Sequence, residues 1–183
     1  MRAPRADVVG AQAATDAAHY QRDPDGTPYP RSTPPDVVLA MLRLLDLPRG
    51  GSVYEVGTGS GFATAVLAHA VGPAGRVHSV DVDPTVVERA RRLLEDDVAG
   101  DTLAGVTLAL ADALHDPPPD GPYDRLVAFL SVADAPPPPW PAAVRRGGLL
   151  VVPTRTSGRV VRYRVAVSGA LVVDGGITAT FTG

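Results

Sequence analysis

A glycine-rich stretch stands where a predicted strand meets a predicted helix. The apolar run Ser52–Val56 leads into Gly57-Thr58-Gly59-Ser60-Gly61, and a helical run follows from Phe62. Glycines at such a turn let the backbone approach a ligand closely, and amides at the start of a helix meet polar ligand groups. The stretch therefore predicts a nucleotide-type binding site. The alternative is a turn that only connects a strand tightly to a helix.

Two aspartates end the next two predicted strands. Asp81 lies twenty residues after Gly61, where a carboxylate can accept hydrogen bonds from both ribose hydroxyls of an adenosine. Asp112 follows the third strand and is in position to receive an adenine amino group beside the small Ala113; its alternative role is a solvated loop residue. Asp83 precedes a proline and is interpreted as a helix N-terminal cap.

The spacing and charge of the loop favour a cationic cofactor over a dinucleotide. Its third glycine comes one residue early for the GxGxxG pattern of dinucleotide sites. The acidic Glu55 suits the amino-acid end of S-adenosyl-L-methionine better than a pyrophosphate; its alternative role is to accept loop amides. A P-loop is excluded because the chain contains no lysine. We therefore expect S-adenosyl-L-methionine to be bound by Glu55, Gly57, Thr58, Gly59, Ser60, Gly61, Asp81, Val82, Asp112 and Ala113.

Length and composition indicate one globular domain. The chain has 183 residues, of which 45% are hydrophobic and 20% charged. It contains no cysteine, which excludes disulfides, thiolate metal sites and cysteine nucleophiles. The net charge of -3 argues against broad phosphate binding, and therefore against a nucleic-acid partner. No apolar stretch has the length of a signal peptide or a membrane span, so we expect a cytoplasmic protein without membrane association.

Strands and helices alternate along the chain. Residues 1–31 show little periodicity and are interpreted as an N-terminal arm or lid, and residues 32–183 as a Rossmann-like core. A helix enters through Pro34 and Pro35 and ends by Pro48, whereas Pro136–Pro139 is interpreted as a stiff surface connection. Strands are predicted over Ser52–Val56, Arg76–Val82, Leu103–Leu110, Arg125–Leu130, Leu149–Val152, Arg159–Val167 and Ala170–Thr182, with helices over Phe62–Ala70 and Asp83–Asp97. The pattern predicts an α/β fold with a parallel sheet that ends in an antiparallel hairpin.

Several of these segments together resemble the class I methyltransferases, and within them the protein-L-isoaspartate O-methyltransferase family. The resemblance extends from about Arg31 to the end of the chain. It implies a seven-stranded Rossmann-like sheet with helices on both faces and a C-terminal antiparallel hairpin, and S-adenosyl-L-methionine as cofactor. The segments that carry it are Val53–Thr64, Ser79–Pro84, Pro122–Val127, Ala135–Trp140 and Gly147–Pro153.

The resemblance also implies where the reacting groups lie. The family places a Gln-Thr-Ile-Ser segment over the methyl group, and this chain has Pro30-Arg31-Ser32-Thr33-Pro34-Pro35 there, without the glutamine. By similarity Ser32 and Thr33 are the catalytic candidates; their alternative role is to cap the helix that begins after them. Arg31 has no counterpart in the family. It is free to pair with a substrate carboxylate, with Asp36 or with solvent.

The expected reaction is methylation of the carboxylate of an isoaspartyl or aspartyl residue in a protein or peptide. Methyl transfer to an ionised carboxylate needs alignment and no strong general base, so none of the four histidines is assigned a catalytic role. Two alternatives share the same cofactor motifs. One is a methyltransferase of RNA or of a small metabolite, and the other is a module that binds S-adenosyl-L-methionine without catalysis.

Overall fold

Seven strands form one sheet in the order β3-β2-β1-β4-β5-β6-β7. The computed structural model describes residues 4–116 and 118–178. The strands are β1 (Ser52–Val56), β2 (Arg76–Asp81), β3 (Val106–Leu110), β4 (Tyr123–Ala128), β5 (Val144–Thr154), β6 (Arg159–Val165) and β7 (Leu171–Thr178). The helices are α1 (Val8–Ala14), α2 (Ala17–Gln21), α3 (Pro35–Leu45), α4 (Phe62–Val71), α5 (Pro84–Asp97), α6 (Gly100–Leu103) and α7 (Pro139–Ala143).

The first five strands are parallel, and the last two reverse direction. β1 pairs with β2 and β4, β2 with β3, and β4 with β5, all in parallel register. β6 pairs antiparallel with β5, and β7 antiparallel with β6. The predicted α/β sheet with a terminal antiparallel hairpin is therefore confirmed.

Alternating side chains of the parallel strands supply two separate apolar cores. In β1, Val53 faces the core that contains α3, α4 and α5, whereas Tyr54 and Val56 face the other core. The second core is covered by α7, whose Trp140 is fully buried and donates from Nε1 to the carbonyl of Ala113 at 2.6 Å. Helices thus lie on both faces of the sheet, although one face carries far more of them.

Some predicted boundaries were wrong. The third strand begins at Val106, since Leu103 ends the short helix α6. The segment Pro136–Pro139 is more than a stiff connection, because Pro139 begins α7 and a proline is well tolerated at the first position of a helix. β5 is longer than predicted at both ends. The predicted last strand ends at Thr178, and the remainder of that prediction lies outside the described residues.

The N-terminal segment is ordered by helices that the sequence pattern did not reveal. Asp7 and Asp16 cap α1 and α2 by accepting the amides of Gly10 and Ala18. Tyr20 is fully buried and donates its hydroxyl to Asp97 on α5 at 2.8 Å. Helices of seven and five residues are too short to show a clear helical period, so packing against α4 and α5 supplies most of their stability.

Candidate active site

A cavity of about 420 Å³ opens where the carboxyl ends of the parallel strands meet the N-terminal segment. In a parallel α/β sheet, ligands bind in the crevice at the carboxyl ends of the strands. The wall of this cavity is formed by residues 30–33, 56–60, 80–82, 111–114 and 129–130, together with Val38, Phe62 and Ala63. It therefore unites the glycine loop, the ends of β2, β3 and β4, and the segment that precedes α3.

The glycine loop turns tightly between β1 and α4. The amides of Gly57 and Thr58 both donate to the carbonyl of Val80, at 2.8 and 3.2 Å, which fixes the loop against the end of β2. Gly59 has a φ of +52°, and a Cβ atom placed on it would lie 2.7 Å from the carbonyl oxygen of Arg31. Only glycine combines this backbone conformation with so close an approach of the segment above it.

Asp81 lies at the end of β2 and faces the cavity. Its Oδ2 accepts the amide of Gly59 at 3.1 Å, and its Oδ1 accepts the amide of Asp83 at 3.2 Å. A carboxylate offers about four acceptor positions, so each oxygen keeps one for a ligand hydroxyl. The side chain is thus held in place by two backbone amides while it faces the cavity.

Two of the predicted cofactor residues, Glu55 and Gly61, are absent from the cavity wall. Gly61 lies against α5, where a Cβ placed on it would lie 3.1 Å from the Cβ of Ala90. Glu55 is fully buried below the loop, where its Oε2 accepts the hydroxyl of Thr64 on α4 at 2.6 Å. Burial raises its pKa to about 7, although the hydroxyls of Thr64 and Ser79 offset part of that shift. The structure therefore does not bring Glu55 to the cavity wall, where the sequence analysis expected it to meet the ligand's amino-acid end. No loop amide reaches its carboxylate either, among the hydrogen bonds of the described residues.

Asp112 lines the cavity, as do Val82 and Ala113. Its Oδ1 accepts the amide of Leu114 at 3.0 Å, and its Oδ2 lies 2.7 Å from Nδ1 of His115. The His115 hydrogen bond is the main cause that lowers the pKa of Asp112, and the Asp112 carboxylate raises the pKa of His115. Asp112 is thus an ionised acceptor within an ordered turn, next to the small side chain of Ala113.

The segment before α3 forms the roof of the cavity. Ser32 and Thr33 both line it. Neither caps α3, because the N-cap residue is Pro34 and no side chain makes a capping hydrogen bond there. The capping alternative was therefore wrong. The hydroxyl oxygen of Ser32 is buried without a hydrogen-bond partner among the described residues. A buried donor in that condition costs free energy unless a ligand satisfies it.

Arg31 and three apolar residues complete the site. Arg31 makes an ion pair with Asp83, with 3.2 Å between Nη2 and Oδ2, a partner that the sequence analysis did not consider. The apolar wall includes Leu114, Phe129 and Leu130, which the sequence analysis missed. Phe129 and Leu130 directly follow β4, so their place at the carboxyl end of a central strand was the available signal.

Neither a metal-binding cluster nor a membrane-spanning helix is found in the described part of the chain. No group of three or more histidine, aspartate or glutamate side chains is placed to hold a metal ion within residues 4–116 and 118–178. Over the same residues, no helix is long and apolar enough to cross a bilayer.

The sheet order, the glycine loop after β1 and the carboxylate at the end of β2 together define a class I methyltransferase fold. Within that class, the model of the family described as Protein-L-isoaspartate(D-aspartate) O-methyltransferase (PCMT) matches residues 15–175. The chain belongs to this family, as its sequence motifs indicated.

Individual relatives agree with the family match. The chain is 40% identical over 119 residues to a protein-L-isoaspartate O-methyltransferase of Methanothrix thermoacetophila, an alignment that covers 65% of this chain and 54% of the relative. A relative of the same name from Ignicoccus hospitalis is 35% identical over 132 residues, or 72% of this chain and 60% of the relative. The chain thus spans little more than half the length of these relatives.

Solved structures share the fold. A putative protein-L-isoaspartate O-methyltransferase from Plasmodium falciparum, in complex with S-adenosyl-L-homocysteine, superposes with a TM-score of 0.75 over 96% of this chain and 88% of that one. Its sequence identity is 16%, so the likeness concerns the fold. A second protein-L-isoaspartate O-methyltransferase gives a TM-score of 0.65 at 25% identity and covers 82% of this chain and 48% of that one.

Proposed function

We propose that this protein is an S-adenosyl-L-methionine-dependent methyltransferase that acts on the carboxylate of isoaspartyl or aspartyl residues in proteins or peptides. The observation that carries the proposal is the juxtaposition of Asp81 and Ser32 in the wall of one cavity, with the glycine loop between β1 and α4 beside them. Membership of the protein-L-isoaspartate O-methyltransferase family supports the class of acceptor. A cytoplasmic location remains a prediction.

The side chains of the cavity fit S-adenosyl-L-methionine. Asp81 supplies acceptors for a ribose, and Asp112 an acceptor for the amino group of adenine beside Ala113. The missing side chain at Gly59 lets the carbonyl of Arg31 pack closely over the loop, where a larger residue would push the roof segment away. When bound, S-adenosyl-L-methionine supplies an electrophilic methyl group on its sulfonium sulfur.

The remaining task of the protein is to align the acceptor. A side-chain or terminal carboxyl group is ionised at neutral pH, so its oxygen needs no base to become a nucleophile. The roof segment brings the hydroxyls of Ser32 and Thr33 into the cavity wall, where a hydroxyl can donate to one carboxylate oxygen and leave the other directed at the methyl carbon. Apolar neighbours such as Phe129 and Leu130 exclude water from the reacting groups.

A methyl-transfer assay on matched peptides tests the proposal. Three peptides identical except for one position, carrying isoaspartate, aspartate or asparagine, are incubated with the protein and labelled S-adenosyl-L-methionine. We expect label on the isoaspartyl or the aspartyl peptide, as an ester that mild base releases. The asparagine peptide should remain unlabelled, because its amide is not an ionised oxygen nucleophile.

The outcomes of this assay are distinct. Base-labile label on the isoaspartyl peptide alone would define a repair-type acceptor, and label on the aspartyl peptide would define a modification of ordinary aspartate. In parallel reactions that offer RNA or a small metabolite as the acceptor, base-stable label there and none on the peptides would contradict the proposal. Binding of the cofactor with no transfer to any carboxylate peptide would contradict catalysis at this site.

A further inference from the structure

Arg89 lies outside the cavity wall, yet its guanidinium joins the glycine loop of that wall to the N-terminal segment of the chain. It projects from α5, and its side chain is only 17% exposed. Nη1 donates to the carbonyl of Ser60 in the glycine loop at 3.3 Å and to the carbonyl of Tyr20 at 3.1 Å. Nη2 donates to the carbonyl of Arg22 at 2.9 Å. One side chain therefore holds the cofactor loop and the N-terminal segment together.

The same guanidinium also packs against an aromatic ring. Its central carbon lies 3.9 Å from the ring centroid of Tyr29, within the range of a cation–π contact. Nε lies 3.8 Å from Oδ1 of Asp23, which adds a favourable charge. Residues 20–29, here called the strap, thus contact Arg89 at Tyr20, Arg22, Asp23 and Tyr29.

The strap leads directly into the roof of the cavity. The side-chain amide of Gln21 donates to the carbonyl of Thr33 at 2.7 Å, and the carbonyl of Gln21 accepts the amide of Tyr29 at 2.9 Å. Displacing the strap would therefore displace residues 30–33. Because the carbonyl of Arg31 lies directly over Gly59, such a movement would change the shape of the cofactor cavity.

We propose that Arg89 is a positioning residue that holds the strap against the glycine loop and so preorganises the cavity for its adenosine-containing ligand. A planar guanidinium has five N–H donors in a fixed fork, which suits it to bind several carbonyls and one ring face at once. A lysine carries one cationic centre and cannot keep all of these contacts. By linkage, a ligand that binds more tightly when the strap is packed against the glycine loop must also stabilise the strap in that position.

This inference rests on the proposed binding of S-adenosyl-L-methionine, so its test has a readout that needs no ligand. Hydrogen exchange of peptides covering residues 20–31 follows opening of the strap in the free protein. Its reporters include the amides of Asp23, Gly26 and Tyr29, all hydrogen-bonded within the strap. Calorimetric titration with S-adenosyl-L-homocysteine then measures the dissociation constant.

Three variants separate positioning from general stabilisation. Arg89→Ala should accelerate exchange in the strap while exchange in α4 stays unchanged, and should weaken S-adenosyl-L-homocysteine binding by about tenfold, or about 1.4 kcal/mol. Arg89→Lys keeps a charge and a long stem and should weaken binding by about three- to tenfold. Arg92→Ala is the matched control, because Arg92 lies on the same helix, is 68% exposed and pairs only at 3.9 Å with Glu88 among the ion pairs of the described residues.

The results discriminate between the two proposals. If the wild type binds no S-adenosyl-L-homocysteine, the proposed function fails, whereas the exchange measurement still tests the strap. Exchange in the strap that is the same in Arg89→Ala and wild type would overturn the inference, as would a dissociation constant of the folded variant within twofold of wild type. If Arg89→Ala does not fold, the same criteria apply to Arg89→Lys.

Discussion

The ionisation of Glu55 should make the stability of this protein depend on pH in a direction unusual for a carboxyl group. Its ordinary pKa is 4.5, and complete burial raises the pKa in the folded protein to about 7. The hydroxyls of Thr64 and Ser79 favour the charged form, and the nearby charge of Asp81 disfavours it. Between these two pH values the folded protein retains a proton that the unfolded chain has released.

The sign of the effect follows from this difference in bound protons. The free energy of unfolding falls with rising pH wherever the folded state binds more protons than the unfolded state. The contribution of protonated Glu55 to the free energy of unfolding is therefore complete below the pKa of this residue in the unfolded chain, and it is lost as pH rises through about 7. At 1.36 kcal/mol for each unit of pKa difference, the loss is about 3 kcal/mol. Glu55→Gln has nearly the same shape, keeps an acceptor for Thr64 and cannot ionise.

Urea unfolding of wild type and Glu55→Gln at several pH values between 4.5 and 8 measures this effect. The difference in free energy of unfolding should move in favour of the variant by about 3 kcal/mol across that range. Titration of other groups, such as His78 and His115, affects both proteins equally and cancels in the difference. Glu95→Gln, an exposed site on α5, controls for the loss of a carboxylate in general. A difference that stays constant with pH would refute the assignment of a raised pKa to Glu55.

Two further substitutions test the loop and the roof of the cavity. Gly59→Ala should destabilise the protein by about 2 to 4 kcal/mol in urea unfolding, because the left-handed backbone disfavours alanine and its Cβ would meet the Arg31 carbonyl. Gly158→Ala is the control, because Gly158 has a similar φ of +62° but no described atom lies within 4 Å of its Cβ. This variant should lose only about 1 to 2 kcal/mol. Equal losses in these two variants would contradict the contact. Ser32→Ala should lower kcat/KM for the carboxylate peptide by about 10- to 100-fold with little change in S-adenosyl-L-homocysteine affinity, since it removes a hydrogen bond to a charged acceptor. Unchanged kcat/KM would remove Ser32 from the acceptor site.

Much of the fold could be predicted because its signals are local. Proline at the start of α3 and the cap formed by Asp83, which accepts the amide of Thr85, fix two helix starts by chemistry that the sequence displays. The end strands β6 and β7 have no helix between them, which predicts their antiparallel pairing. The helices α1 and α2 escaped prediction because their stability comes from distant partners, such as the contact of Tyr20 with Asp97.

The sequence predicted a residue of the cavity correctly where that residue ends a parallel strand, because the strand end fixes the edge of the sheet at which the residue lies. Asp81 ends β2, and the carboxyl ends of neighbouring parallel strands meet at one edge, so its position in the cavity followed from the pattern. Glu55 stands one residue before the end of β1, and its side chain faces α4 instead. The role of Arg89 depends on backbone carbonyls of the strap, which no side-chain pattern in the sequence can reveal.

Calorimetric titration of wild type and Asp81→Ala with S-adenosyl-L-homocysteine tests most directly whether this cavity is the cofactor site. Removing the ribose acceptor should weaken binding by about 1.5 to 3 kcal/mol, or roughly 10- to 150-fold, because hydrogen bonds to a charged group are lost. Saturable binding by wild type with that loss in a folded variant is the predicted result. Equal affinity in the two proteins, or no binding by wild type, would contradict the assignment of the cavity to S-adenosyl-L-methionine.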